Sequence, residues 1–325
     1  MPEMPNRPWS RSDVPLVWRS DTCVEMGWPP RRIRVEDIDR PHVAWLLSLR
    51  GERTLTEALE AGSLDGLCSR TMRRLVRMGV QTGLIDDASA APEALRDAPH
   101  GMRETLSANL ALARQVHGPG ARTAFDRRLA AEVAVRGDNT LADTVVMVLA
   151  ASGVGEVTRS ALRTSGSRRM RRSSAQRVCE VLCDAGHPDA ASHPDAMALD
   201  IPHLAATVVG PRAVVGPLVI PGRTSCLRCR DLHLTDADST WPRAAVQWSA
   251  RRPVGMSPGL AHLAGSWAAL HVLALIDAGP RDVSAPTLDG ALIITLPHTG
   301  PVLEARPAHP LCGCRWPRTG RGISA

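Results

Sequence analysis

No lysine occurs anywhere in the 325 residues, so all 39 basic positions are arginine. Chemistry that needs a side-chain amine is therefore closed: no Schiff base, no catalytic lysine, no lysine gripping a phosphate. Tyrosine is also absent, and phenylalanine occurs once, at Phe125, so tryptophan carries nearly all the aromatic content. No apolar run reads as long enough to span a membrane. Met1 to Arg11 lack the apolar stretch of a signal peptide, which makes a cytoplasmic location the expectation. The formal net charge of +6 is modest. It fits acidic partner peptides better than dedicated nucleic-acid binding.

Eight cysteines are present, but a chain this long and this rich in Leu, Val and Ala needs no disulfide framework. Four are set out in two close pairs, Cys226-Leu227-Arg228-Cys229 and Cys312-Gly313-Cys314. Two thiolate pairs on tight turns, far apart in the chain, can close a tetrahedral four-cysteine zinc site. Pro221-Gly222 before the first pair, and Pro310 and Gly313 at the second, supply the turns. His233 is a possible substitute ligand, and His309 suits a supporting place beside the knuckle. Cys23, Cys68, Cys179 and Cys183 sit among apolar neighbours and read as small core residues.

The opening segment, residues 1–87, reads as a unit of its own. Val14–Arg19, Thr22–Gly27 and Arg31–Glu36 are short, β-prone and partly alternating, as in a small antiparallel sheet. Three helical patterns follow. Val43, Leu46, Leu47 and Leu49 share a face of the first. Thr54-Leu55-Thr56-Glu57 opens the second as a capping box. Leu64, Leu67, Cys68, Met72, Leu75 and Val76 mark the third, which Gly79 is expected to stop. Its other face carries Arg70, Arg73, Arg74 and Arg77. Strands followed by three short helices describe a winged-helix-like α+β module. Residues 88–125 read as a linker and connecting helix.

From residue 126 the pattern becomes α/β. Ala130–Arg136 reads as a first buried strand, Leu141–Ser152 as a helix and Gly153–Val157 as a second strand, the βαβ opening of a Rossmann-like domain. Arg168–Arg177 reads as a solvated basic stretch. Val178–Leu182 and His203–Val208 are candidate parallel strands, Ala213–Ile220 a further strand, and Ser257–Asp277 the longest apolar helix. On that helix Leu260, Leu263, Ala264, Trp267, Leu270, His271 and Ala274 form the expected stripe. Ala291–Leu296 and Val302–Ala305 read as a hairpin before the last cysteines.

The strings Gly216–His233 (GPLVIPGRTSCLRCRDLH) and Arg306–Cys314 (RPAHPLCGC) resemble ThiF/MoeB-like proteins of the ubiquitin-activating-enzyme superfamily, as does Val148–Val157. Within it the chain is similar to the cyclodehydratase-associated, leader-peptide-binding branch of azole peptide biosynthesis. Pro15–Pro30 resembles that branch's N-terminal PqqD-like module. The resemblance implies an adenylating-type α/β domain with a four-cysteine zinc knuckle and a leader peptide or precursor as partner. It also implies a partner modifying enzyme and a homodimer.

One part of the resemblance breaks. Where a G-x-G-x-x-G turn is expected, the chain has Gly137-Asp138-Asn139-Thr140-Leu141-Ala142. Asn139 stands where glycine lets backbone approach phosphate, and Asp138 adds negative charge there. Asp184 and Asp189 are the candidates for the family's Mg²⁺-binding aspartate. The loop argues against ATP and Mg²⁺ as cofactors. Three functions remain open. The first is a peptide-binding scaffold that takes an extended leader beside Arg31, Arg32 and Arg34 and against the arginines of the third helix. The second is an active ATP-dependent adenylating enzyme, and the third a winged-helix DNA-binding regulator.

Overall fold

The computed structural model describes residues 4–11, 14–29, 32–90, 100–160, 177–184, 194–249 and 255–315. Arg31, Asp189, most of the 168–177 basic stretch and the chain from Trp316 lie outside them. The chain divides into two compact units, Met1–Asp126 and Arg127–Ala325.

The first unit holds β1 (Pro8–Ser10), β2 (Leu16–Ser20), β3 (Cys23–Met26), β4 (Ile33–Val35), α1 (Arg40–Ser48), α2 (Leu55–Leu64), α3 (Ser69–Thr82), β5 (Ile85–Asp87) and α4 (His100–His117), and most of α5 (Ala121–Ala130). Strands β2, β3 and β4 form the expected antiparallel sheet, with β4 at one edge. Alternation sets its faces. Val24, Met26 and Val35 turn into a core with Val43, Leu46, Leu75 and Val76. The capping box of α2 is formed in both directions, Thr54 N–H to Glu57 at 2.7 Å and Glu57 N–H to Thr54 at 3.3 Å.

Several expectations about this unit are corrected. Helix α3 does not stop at Gly79 but runs to Thr82, with Gly83 capping it at φ 76°. Gly79 answers to close packing instead: a Cβ there would lie 2.5 Å from Cγ1 of Ile85. Leu64 ends α2 and is exposed, and Leu47 faces solvent rather than the core. Cys68 is exposed just before α3, not a core residue. The β1–β5 pair was not foreseen, because three-residue strands carry too little periodicity to read.

The second unit is built on a seven-stranded sheet ordered β12-β11-β10-β9-β8-β6-β7. Its strands are β6 (Glu132–Arg136), β7 (Glu156–Ser160), β8 (Arg177–Asp184), β9 (His203–Val209), β10 (Arg212–Val219), β11 (Gly290–Thr295) and β12 (His298–Ala305). The first four strands pair in parallel and the last three continue antiparallel, so the sheet is mixed. Its helices are α6 (Thr140–Ala151), α7 (Pro194–Ala198), α8 (Leu227–Ala237), α9 (Trp241–Ser249) and α10 (Pro258–Ala278).

Helix α10 corrects the expectation that no run reaches membrane-spanning length, since it passes that test on length and hydropathy. The physical reason is burial on more than one side: Ala261, Ala264, Ala268, Val272, Leu275 and Ile276 pack in the core with Val133, Val135, Leu141 and Val145. A helix apolar all round is a core helix here. Its buried face also differs from the expected stripe, because Leu270 is exposed while Gly265 meets α6. Arg177 is likewise no solvated residue. It starts β8 with its side chain buried, 2.7 Å from Glu180.

Candidate functional site

The two cysteine pairs meet. Cys226 precedes α8 and Cys229 lies in its first turn, while Gly313, at φ 72°, makes the turn that sets Cys312 beside Cys314. The sulfurs of Cys226 and Cys312 are 3.5 Å apart, those of Cys229 and Cys314 3.3 Å, and those of Cys226 and Cys229 3.9 Å. All four lie within 4.8 Å of one another and can hold a metal ion. A metal about 2.3 Å from each of four tetrahedral sulfurs spaces them by about 3.8 Å, close to the distances found. The Cys226 thiol donates to Cys229, which lowers Cys229 and pushes Cys226 up. Burial pushes Cys314 up to about 12. Four sulfurs this close ionise together only beside a cation.

Side chains that sequence reasoning missed support the cluster. The Asp289 carboxylate accepts the N–H of Ser225 at 2.6 Å and pairs with Arg315 at 2.5 Å, so one residue holds the flanks of both cysteine pairs. Its signal in the sequence was only an Asp-Gly turn. His309 is buried, and its carbonyl accepts the N–H of Cys312 at 3.0 Å. Its Nδ1 accepts the N–H of Leu311 at 3.1 Å, which places the proton on Nε2, facing Asp236 at 2.8 Å. His233 packs edge-on against the His309 ring and hydrogen-bonds the Pro307 carbonyl. His233, Asp236 and His309 are close enough to suggest a second metal group. The His309 tautomer argues otherwise, because its Nε2 lone pair is not free to ligate. His309 and Asp236 form a hydrogen-bonded brace with the His233 ring packed on it, and His233 does not join the four sulfurs as a substitute ligand.

The loop that departs from the glycine-rich pattern is bonded through its own side chains. Gly137 lies so near the end of β8 that a Cβ would sit 2.5 Å from the Cys183 carbonyl. Asn139 caps α6 by accepting the Ala142 N–H at 3.0 Å, and its amide donates to the Cys183 carbonyl at 3.1 Å. Arg159, at the end of β7, pairs with Asp138 at 3.1 Å and with Asp143, and donates to the Gly137 carbonyl. A helix N-terminus that could receive phosphate thus carries a side-chain cap and two carboxylates bridged by one guanidinium.

The described arginine candidates fall in two places. Arg32 and Arg34 lie on or beside β4, exposed, within 3.6 and 3.5 Å of Glu25. Arg70, Arg73, Arg74 and Arg77 occupy the solvent face of α3. Cys179 and Cys183 are buried and pushed far up by it, which removes them as thiolate nucleophiles. His262 and His271 hydrogen-bond Thr144 and Thr287, each at 2.9 Å. Trp241 meets Trp248 edge-to-face, with Trp248 exposed and Trp267 half-buried.

No family model and no curated protein matches the chain. Solved structures match it in fold. The microcin C7 biosynthetic enzyme MccB in complex with N-formylated MccA is 14% identical with a TM-score of 0.62, over 95% of this chain and 99% of that one. Escherichia coli MccB with AMPCPP and MccA aligns at 14% identity and TM-score 0.63, over 95% and 99%. The heterocyclase TruD aligns at 16% identity and TM-score 0.60, over 95% of this chain but 43% of its own. The chain therefore carries the mixed α/β fold that MccB has over its whole length and that TruD contains as a part.

Proposed function

We propose that the protein is a zinc-stabilised peptide-binding scaffold that presents a precursor or leader peptide to a partner modifying enzyme. In this reading residues 1–87 are a PqqD-like winged-helix module, residues 88–125 connect it, and residues 126–325 form the ThiF-like domain. The loop at Asn139 carries the proposal: its tie to Cys183, and the pairing of Asp138 and Asp143 with Arg159, put a side-chain cap and two carboxylates where a triphosphate would need backbone amides. With no lysine in the chain, ATP and Mg²⁺ are not retained. Zinc fits four thiolates better than harder cations do. The fold supports a peptide role, since matching structures include MccB in complex with N-formylated MccA and a heterocyclase in complex with its substrate and cofactor. A leader would add a strand at the open edge of β4. Self-association as a homodimer in the cytoplasm belongs to the same reading.

Calorimetry on the full chain tests it: a precursor peptide binds and Mg-ATP does not. One observation favours a second reading, adenylation, because a match spanning nearly all of MccB includes its AMPCPP complex. Peptide-dependent exchange of pyrophosphate into ATP would establish that reading and reject the scaffold.

A further inference from the structure

The outer face of the β2–β3–β4 sheet gathers three arginines around one acid, beside the exposed Val17, the cross-strand partner of that acid. Arg19, Arg32 and Arg34 converge on one acid, Glu25, at 3.1, 3.6 and 3.5 Å. The guanidinium side chains are about half exposed, while Glu25 is 14% exposed beneath them. Three positive charges thus share one counter-charge, and the arginines hold the Glu25 carboxyl below its usual range, Arg19 most strongly through its hydrogen bond. On the same strand Ile33 and Val35 pack with the core. Arg32 and Arg34, two residues apart, stand on the opposite face.

We propose that this face selects its peptide by charge: an extended acidic segment lies along β4, carboxylates two residues apart meet Arg32 and Arg34, and Glu25 is the built-in competitor they displace. The inference rests on the peptide-binding reading and names the class of peptide. A strand added at β4 continues the alternation of the sheet. Every second side chain of the guest falls on the arginine face, and those between fall on the side of Ile33 and Val35. The guest therefore alternates acidic and apolar residues. A nucleic acid satisfies the charge but not this alternation.

The test uses the full-length protein and fluorescence anisotropy with two labelled synthetic peptides, one alternating Glu with Leu and one with Gln replacing every Glu. The acidic peptide is expected to bind more tightly, with affinity falling as salt rises. Arg34→Glu weakens it by about fivefold or more, and Glu25→Gln tightens it by about two- to fivefold, the worth of one exposed ion pair. Equal binding of both peptides, unmoved by either substitution, overturns charge selection and leaves the peptide reading standing. Binding of neither peptide overturns charge selection, and peptide-dependent pyrophosphate exchange overturns the scaffold reading with it. Weaker binding in Glu25→Gln overturns the competitor role, and full displacement of the acidic peptide by a DNA duplex assigns the face to nucleic acid instead.

Discussion

The side-chain amide of Asn139 donates to the main-chain carbonyl of Cys183, 44 residues later and 3.1 Å away. The same side chain caps α6, so one residue closes the turn after β6 and binds it to the end of β8. Asn139→Ala removes both contacts. It is expected to cost roughly 1–2 kcal/mol in denaturant unfolding, at the upper end for a helix cap. It does not restore nucleotide binding, because Asp138 and Asp143 remain. A variant that bound Mg-ATP would show that the cap alone had blocked the site.

If the four thiolates hold zinc as proposed, its removal is expected to destabilise the second unit by several kcal/mol, since the free energy of closing such a site is folding free energy. Mass spectrometry under native conditions should find one zinc per chain. Cys314→Ser should lose it, and Cys68→Ser, at an exposed position outside the cluster, should keep it. Zinc retained in Cys314→Ser would place the ion elsewhere.

Asp289→Asn keeps a residue that tolerates the positive φ of 53° found there but gives up the charge facing Arg315. Supporting carboxylates of this kind commonly set metal affinity by about tenfold or more. Competition with a chromophoric chelator should show a loss of that size while the sheet stays folded by circular dichroism. An unchanged affinity would mean that the two cysteine arms hold their places without the carboxylate.

Burial holds the imidazole of His203 below its ordinary range. In the unfolded chain it protonates near pH 6.5, while in the folded chain it resists until lower pH. Above that value neither state carries the proton and stability is unaffected. As pH falls below it the unfolded chain takes up the proton first, so stability drops until the folded pKa is reached. His271 is shifted the same way, also by burial, and adds to the drop. Melting temperatures taken from pH 7.5 to 5.5 should fall, and less steeply in His203→Asn, whose amide can still donate to the Ile201 carbonyl. Superimposable profiles would sink this account.

What was legible in the sequence was what short-range chemistry writes there. The Thr54–Glu57 box, the alternation of β2 to β4 and the paired spacing of four cysteines each need only a few neighbouring residues to be recognised. What escaped depends on partners far along the chain. Glycine at 79 reads as a helix stop until Ile85 is seen against it. Arg177 reads as one more member of a basic run until Glu132 and Glu180, on β6 and β8, are seen around it. Asp289 offers no more than an Asp-Gly turn, yet it touches the neighbours of both cysteine arms.

With the proposed metal bound, the sulfur cluster would also turn a linear polymer into a ring. Pulled from its two ends, the loaded chain would route tension through the metal–sulfur bonds and leave everything between Cys229 and Cys312 slack. About 80 residues at roughly 3.5 Å each would stay hidden, a contour length of about 280 Å released in a single step only when the ring ruptures.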